Sequence, residues 1–227
     1  MGSIDLIALW ISLRLAVTTT VLLLLLCTPL AWWLAVGGSR ARIVVDALVS
    51  LPLVLPPTVL GFYLLMLMGP RGALGVALHW LGLPAPAFTF GGLVLGSMLY
   101  SLPFAVQPIR DAFQSVGARS LEVAATLRAS PWNSFFSVAL PLAARGFMTA
   151  AVLSFAHTLG EFGVVLMIGG NIPGRTQTAS IALFDHAEAL EYGAAYRLSA
   201  ILLVVCFVLL LLVYTLNRRL RTAGILA

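Results

Sequence analysis

EVAATLRASPWNSFFSVALP, residues 122–141, is a polar and partly amphipathic island in a chain whose other long stretches are apolar. Leu121, Ala125, Ala129, Trp132 and Phe136 recur at steps of three and four, a spacing that gathers them on one face of a helix, while Glu122, Thr126, Asn133 and Ser134 fall elsewhere. Such a stripe needs a surface to bury against. Ser130-Pro131 interrupts it: serine is a good N-cap and proline is tolerated at the first helical position, so a second short helix can begin there. The expectation is two short helices joined by an elbow, over about residues 118–136.

Outward from the island, 61% of the residues are hydrophobic and 9% are charged, the composition of an integral membrane protein. A helix rising 1.5 Å per residue needs about 20 apolar residues to cross a hydrocarbon core of about 30 Å. Five segments qualify: 15–36, 43–68, 88–109, 135–168 and 198–216. The fourth is long, so its start is assigned to the island and the span proper is expected to begin near Leu142. An all-α membrane fold with five or six transmembrane helices follows, the whole of 1–227 forming one domain.

Arginine sets the orientation, because loops rich in Lys and Arg stay cytoplasmic. The chain has no lysine. Arg40 and Arg42 lie between spans one and two, Arg110, Arg119 and Arg128 between three and four, and Arg218, Arg219 and Arg221 after span five. The other side holds Arg14, Arg71, Arg175 and Arg197 among Asp5, Asp185, Glu188 and Glu191. The N-terminus is thus expected outside and the C-terminus and island in the cytoplasm. This bias also accounts for the net charge of +5 without nucleic acid, since the arginines are dispersed at membrane edges. The first apolar stretch lacks a basic n-region and is followed by no small-residue cleavage site before a full-length span, so span one is expected to be retained. Cys27 and Cys206 fall inside apolar spans and read as small buried hydrophobes.

Within span two, LPLVLPPTVLG (51–61) places Pro52, Pro56 and Pro57 at membrane depth. The carbonyls they leave unpaired need partners in protein or water, so the segment is either a kinked packing helix or a broken one lining a pathway. Pro103 and Pro108 imply a milder kink in span three. Span four carries HTLGEFG (157–163), where Glu161 is a carboxylate deep in an apolar run. His157 and Glu161 stand four apart, so on a continuous helix they could pair. Gly160 and Gly163 would let helices approach closely. GGNIPGRTQT (169–178) reads as an external turn-rich loop, part of an extracytoplasmic region over about 169–196. A short helix over about 179–190 then displays Asp185, His186, Glu188 and Glu191, either as a solvated face or as a docking surface.

Glu122-Val123-Ala124 and Val138-Ala139-Leu140-Pro141 resemble the Glu-Ala-Ala loop of bacterial and archaeal ABC importer permeases, whose pattern runs Glu-Ala-Ala, Gly, aliphatic-x-Leu-Pro. The family's glycine falls on Arg128 here, so the elbow is expected to keep ordinary backbone angles or to use the arginine in a new contact. Leu159-Gly160-Glu161-Phe162-Gly163 is similar to a signature of molybdate and sulfate importers, while 51–61, Asn171-Ile172-Pro173-Gly174 and the Glu191-x-Gly193-Ala194-Ala195 stretch look like molybdate permeases. The resemblance implies the type I ABC importer permease fold and a homodimer with two ATPase subunits and an extracytoplasmic molybdate-binding protein. It implies ATPase coupling through Glu122, Val123, Ala124, Arg128, Ala129, Ser130, Pro131 and Trp132, and a pathway or gate from Pro56, Pro57, Thr58, Gly160, Glu161, Phe162 and Gly163. For an anion pathway Glu161 is expected to serve a gate or structural role, since a bare carboxylate would repel the cargo.

No Gly-x-x-x-x-Gly-Lys-Ser/Thr phosphate loop occurs, so this chain is expected to hydrolyse no ATP itself; ATP and Mg would sit on the partner ATPase. No Ser-His-Asp or His-Glu-x-x-His pattern points to catalysis or a metal, and the short tail after Leu216 argues against a fused sensing domain. Sulfate or thiosulfate import is the nearest alternative, and a non-transporting scaffold or intramembrane enzyme the remote one.

Overall fold

Backbone groups inside hydrocarbon can bond only within the protein, so apolar runs close their hydrogen bonds as helix. The computed structural model describes residues 3–36 and 39–222, and every regular element among them is helical. In chain order these are α1 (Ser3–Ala35), α2 (Arg40–Val54), α3 (Pro57–Met68), α4 (Ala73–Trp80), α5 (Phe90–Thr126), α6 (Pro131–Ser134), a π-helical turn (Phe135–Ala139), α7 (Leu140–Leu142), α8 (Ala144–Gly160), α9 (Gly163–Gly169), α10 (Ala179–Glu188) and α11 (Tyr192–Thr222). The side chains of Arg218, Arg219 and Arg221 lie outside the described part.

Four to five candidate spans stand against the five expected from the sequence, and their edges differ. Asp5–Ala35, Pro57–Trp80, Phe90–Gly117 and Tyr192–Leu212 are long and apolar enough to cross, and Pro131–Leu142 with Ala144–Gly160, bent by 65°, passes the same test only as a pair, which makes five where the pair is one broken span and four where it is re-entrant. The second crossing is therefore α3 with α4 rather than 43–68, because the chain breaks between α2 and α3. Leu55 and Pro56 are extended there (ψ 135° and 133°), and Pro57 opens α3 at a position where its missing N–H has no helical partner to lose. The segment 51–61 is thus two helices with a break rather than one kinked helix. In α5 the departure from helical angles comes at Gly117 (φ 71°, ψ 157°), not at Pro103 or Pro108.

Helices α1, α5 and α8 form the centre. Leu23, Cys27 and Ala31 of α1 meet Ala105, Val106, Ile109 and Phe113 of α5 and Ala150 of α8 in one buried cluster. A Cβ on Gly146 would lie 2.3 Å from that of Ala112 and 2.6 Å from the Pro108 carbonyl, so α8 crosses α5 almost backbone to backbone. Cys27 is buried and Cys206 half-buried, and both are free thiols.

Ring contacts and ion pairs show which ends lie together. Trp32 meets Phe113 and Phe135 edge-on at 4.9 and 5.2 Å, and Arg110 of α5 pairs with Asp46 of α2. The arginine-bearing connections thus share one end of the bundle. At the other end, Ser12 Oγ accepts a hydrogen bond from the Ala179 amide at 2.8 Å, fixing the start of α10 on α1.

Candidate translocation and coupling sites

The island is two helical pieces with an elbow. Gly117 occupies a backbone region open essentially to glycine alone, and it turns the chain from the membrane-crossing part of α5 into residues 118–126. Glycine inside a helical pattern is the sequence signal that marks this hinge. At the elbow Arg128 takes φ 57°, so the expectation of ordinary angles is overturned. The reason is the helix stop it closes: the Arg128 amide donates to Ala125 O at 2.9 Å and the Ala129 amide to Ala124 O at 3.1 Å, the paired bonds of a left-handed C-cap. The turn demands this conformation whichever side chain occupies it.

The second helix begins as expected. Ser130 Oγ accepts from the Asn133 amide at 3.2 Å and Pro131 fills the first helical position. Its π-helical turn falls directly ahead of Pro141, which lacks an N–H and crowds the carbonyl four residues earlier. The predicted stripe is not buried as one face: Leu121 and Ala124 turn inward, Ala125 is exposed, and Trp132 and Phe136 are 74% and 56% exposed with stacked rings 6.0 Å apart. The left-handed residue at the elbow shifts the phase between the two helices. Val123 and Leu127 are also exposed, as is Glu122, and a concavity of about 730 Å³ lies between the helices, lined by Arg119, Val123, Leu127, Arg128, Asn133 and Val138.

A polar stitch ties the span feeding this elbow to α2. Arg110 binds Asp46 and Asp111, and one helical turn away Gln107 Nε2 donates to Ser50 Oγ at 3.0 Å. Helix α2 leads directly into the break at Leu55 and Pro56.

At membrane depth, segments a hundred residues apart in sequence converge. Helix α8 ends at Gly160, Glu161 is extended (ψ 133°), and α9 starts at Gly163. His157 and Glu161 therefore do not share one continuous helical face, and the expected pairing is not formed. His157 Nδ1 instead bonds Ser101 Oγ at 2.9 Å, Ser101 Oγ lies 3.0 Å from Thr158 Oγ1, and the imidazole nests against Tyr100 and Phe104. The Glu161 side chain is buried, 4% exposed, with the Ser97 hydroxyl facing it; neither carboxyl oxygen completes a hydrogen bond among the described residues. A cavity of about 520 Å³ is lined by Pro57 and Thr58 from α3, Tyr100, His157, and Gly160 to Gly163. It unites the predicted pathway residues except Pro56, which stands one residue outside at the break.

The two glycines of this motif differ. A Cβ on Gly163 would lie 2.8 Å from that of Pro57, so α9 and α3 depend on its absence, whereas Gly160 faces open space and mediates no close approach. Gly61, 2.8 Å from the Met167 Cβ by the same measure, is the close-approach residue that the motif did not reveal.

At the end of the bundle where α10 meets α1 the acidic residues divide. Asp185 accepts from Asn171 Nδ2 at 3.1 and 3.0 Å and from Gln177 Nε2 at 2.9 Å, holding the 169–178 turn, while Glu188 is exposed. His186 bridges Asp5 and Glu191, both at 2.8 Å, and these two carboxylates raise its pKa above the ordinary imidazole value. Asp185 and His186 are thus held in contacts within the chain rather than forming part of a solvated face.

Residues 27–222 match the family model of the binding-protein-dependent transport system inner membrane component. The molybdenum transport system permease protein ModB of Azotobacter vinelandii is 56% identical over 214 residues, which covers 94% of this chain and 95% of that one. ModB of Haemophilus influenzae is 37% identical over 88% of this chain and 89% of its own length. A bacterial alginate ABC transporter, solved in complex with an alginate pentasaccharide-bound periplasmic protein, superposes with a TM-score of 0.78 at 18% identity, covering 97% of this chain and 80% of that one.

Proposed function

Since this chain belongs to the binding-protein-dependent transport system inner membrane components, we propose that it is the membrane subunit of an ATP-driven importer for molybdate. The observation that carries the substrate is the 56% identity, over nearly the full length of both chains, to a molybdenum transport permease. The exposed apolar residues Val123, Leu127, Trp132 and Phe136, presented beside Glu122 on a hinged elbow, support docking to a separate ATPase that binds the ATP and Mg. Glu122 to Ala124 and Arg128 to Trp132 form that coupling element. Its movement reaches the pathway by the stitch from α5 to α2, because α2 ends at the break that opens α3 and the cavity.

A homodimer fits the cavity's chemistry. Its mouth carries Thr58, Tyr100 and His157 at membrane depth, and polar groups there are accommodated against protein or water rather than lipid. A second copy facing this mouth would enclose a route lined twice by Pro56 to Thr58 and Gly160 to Gly163. Arginine placement supports an N-terminus outside, a C-terminus and elbow in the cytoplasm, and the 169–196 region on the side where a molybdate-loaded binding protein would dock.

The reading is tested by reconstituting the chain with its ATPase and measuring ATP hydrolysis with binding protein loaded with molybdate, tungstate or sulfate. Molybdate stimulation is expected. Stimulation by sulfate alone would overturn the substrate, and failure of any ATPase subunit to copurify would overturn the importer.

A further inference from the structure

Leu24, Leu25, Thr28, Pro29 and Trp32 recur at steps of three and four along α1 and form one wall of an apolar groove of about 680 Å³. The facing wall is the second helix of the elbow, with Trp132 and Phe136 exposed and Phe135 and Leu140 half-buried. The one hydroxyl on these walls, that of Thr28, donates to the Leu24 carbonyl, so the groove offers a ligand almost nothing but carbon surface. The importer reading assigns this space no occupant.

Two features of α1 mark the membrane edges. The Arg14 guanidinium lies 4.4 Å from the Phe90 ring centre, and Trp32 and Trp33 stand in the last turn of the helix, where tryptophan meets the headgroup layer. From Arg14 to Trp32 the helix rises about 27 Å, close to the thickness of about 30 Å of a hydrocarbon core. The groove runs from Leu24 to Trp32, about 12 Å, and so lies within the leaflet on the arginine-bearing side. A soluble partner does not reach that far into hydrocarbon. A transmembrane helix, about 10 Å across with its side chains, needs about 900 Å³ over the same length, more than the groove holds. The remaining occupant is an acyl chain, which is apolar, flexible and present in that leaflet.

A cation stands beside the Trp32 end of the groove. Trp33 follows Trp32 on α1, rotated from it by about 100°, and carries the Arg42 guanidinium 5.1 Å from its ring centre. Arg42 pairs with no carboxylate among the described residues; its Nε and Nη1 are covered and meet no acceptor there, which leaves Nη2 as the corner open to a ligand. Arg40, exposed two residues earlier, adds positive charge. A partly desolvated guanidinium calls for an anion, and a phosphate supplies a charge-assisted acceptor at its open corner. We propose that the groove between α1 and the elbow's second helix holds one acyl chain of an anionic phospholipid whose phosphate is held by Arg42. This site is independent of the cargo, and it sets a lipid against Trp132, the exposed tryptophan of the coupling element.

The test places the full permease, with whatever subunits copurify, in nanodiscs doped with phosphatidylglycerol or phosphatidylcholine that carries a photoactivatable group on one acyl chain. Crosslinked peptides are then counted by mass spectrometry. Residues 24–32 and 131–140 are expected to be labelled more, residue for residue, than Leu203, Phe207 and Leu211, which are exposed on α11. Phosphatidylglycerol is expected to label the groove about fivefold more than phosphatidylcholine, the factor that one arginine near the surface sets. Arg42→Gln should bring the two lipids level, Arg42→Lys should keep the preference, and Thr28→Phe, which fills the groove, should lower its labelling by both lipids without changing that of α11. Labelling of the groove no stronger than that of α11, or equal for the two lipids in the unmodified protein, means bulk lipid only and overturns the proposal. So does a preference that survives Arg42→Gln, labelling that survives Thr28→Phe, or a groove left unlabelled because a second copy or an ATPase subunit covers it. If Thr28→Phe fails to assemble, Leu25→Trp, at a position 67% exposed, takes its place with the same two readings.

Discussion

Replacing Arg128 by glycine is expected to tighten the elbow. An L-residue in the left-handed region bears a cost of about 1–2 kcal/mol, and φ at Arg128 is 57°. Glycine removes that cost but loses more freedom on ordering, about 0.5–1 kcal/mol, so the net gain is about 0.5–1 kcal/mol. The gain is local, so hydrogen exchange reads it better than global unfolding. The amide to watch is that of Ala129, bonded to Ala124 O at 3.1 Å, since both ends of this bond are held only while residue 128 stays left-handed. Its opening equilibrium should fall by roughly two- to fivefold in Arg128→Gly, the factor that 0.5–1 kcal/mol sets at room temperature. Arg128→Asn, which tolerates the region, should fall between the two, and the β-branched Arg128→Val should exchange faster than the unmodified chain. The Arg128 side chain is exposed, so lost packing should not mask the trend. Equal or faster exchange in the glycine variant would refute the strain assigned to the elbow.

Gly163→Ala should cost about 1–3 kcal/mol by forcing α9 off Pro57, while Gly160→Ala, with nothing near its added methyl, should leave thermal stability in detergent unchanged; equal effects would contradict the close approach. Trp132→Ala should abolish copurification of the ATPase yet change permease stability by no more than about 0.5 kcal/mol, because the ring is 74% exposed; a large stability loss would mean that it packs within the chain. The clamp of His186 on Asp5 and Glu191 should respond to pH with a fixed sign. The folded-state pKa is raised, so the stabilisation is complete below the ordinary value of 6.5 while the carboxylates stay ionised, and it is lost as pH rises through the raised value. The melting temperature of His186→Gln should therefore lie below that of the unmodified chain near about pH 6 and converge with it near about pH 9; a constant or widening gap refutes the clamp.

What the sequence disclosed, and what it concealed, follows the range over which each feature is determined. The Ser130 cap and Pro131 at a helix start are set by a few consecutive residues and stand where their spacing placed them, whereas the apolar run 43–68 gives way to Pro57–Trp80 because the chain breaks at Leu55 and Pro56. Position 128 is marked by the family pattern, since ABC importer permeases carry glycine where this chain has Arg128. Arg128 suggested an ordinary backbone, whereas the paired bonds to Ala124 and Ala125 hold the turn left-handed against the preference of its side chain. Local preference yields when two hydrogen bonds and the redirection of a helix depend on one residue.

The pairing of His157 with Glu161 failed for a different reason. A spacing of four implies a shared face only while the helix continues, and α8 stops at Gly160. Contacts to partners distant in sequence accompany the break: Gly163 passes within contact of Pro57, and Ser101 from α5 takes the imidazole nitrogen. Neither partner is visible from span four alone. Yet the two motifs suspected of lining a pathway, 56–58 and 160–163, do meet across a single cavity. Both carry backbone that departs from helix at membrane depth, and such backbone needs a polar enclosure to satisfy it. One break can shelter the other, so two interruptions in apolar spans are a reason to look for a common polar space between them.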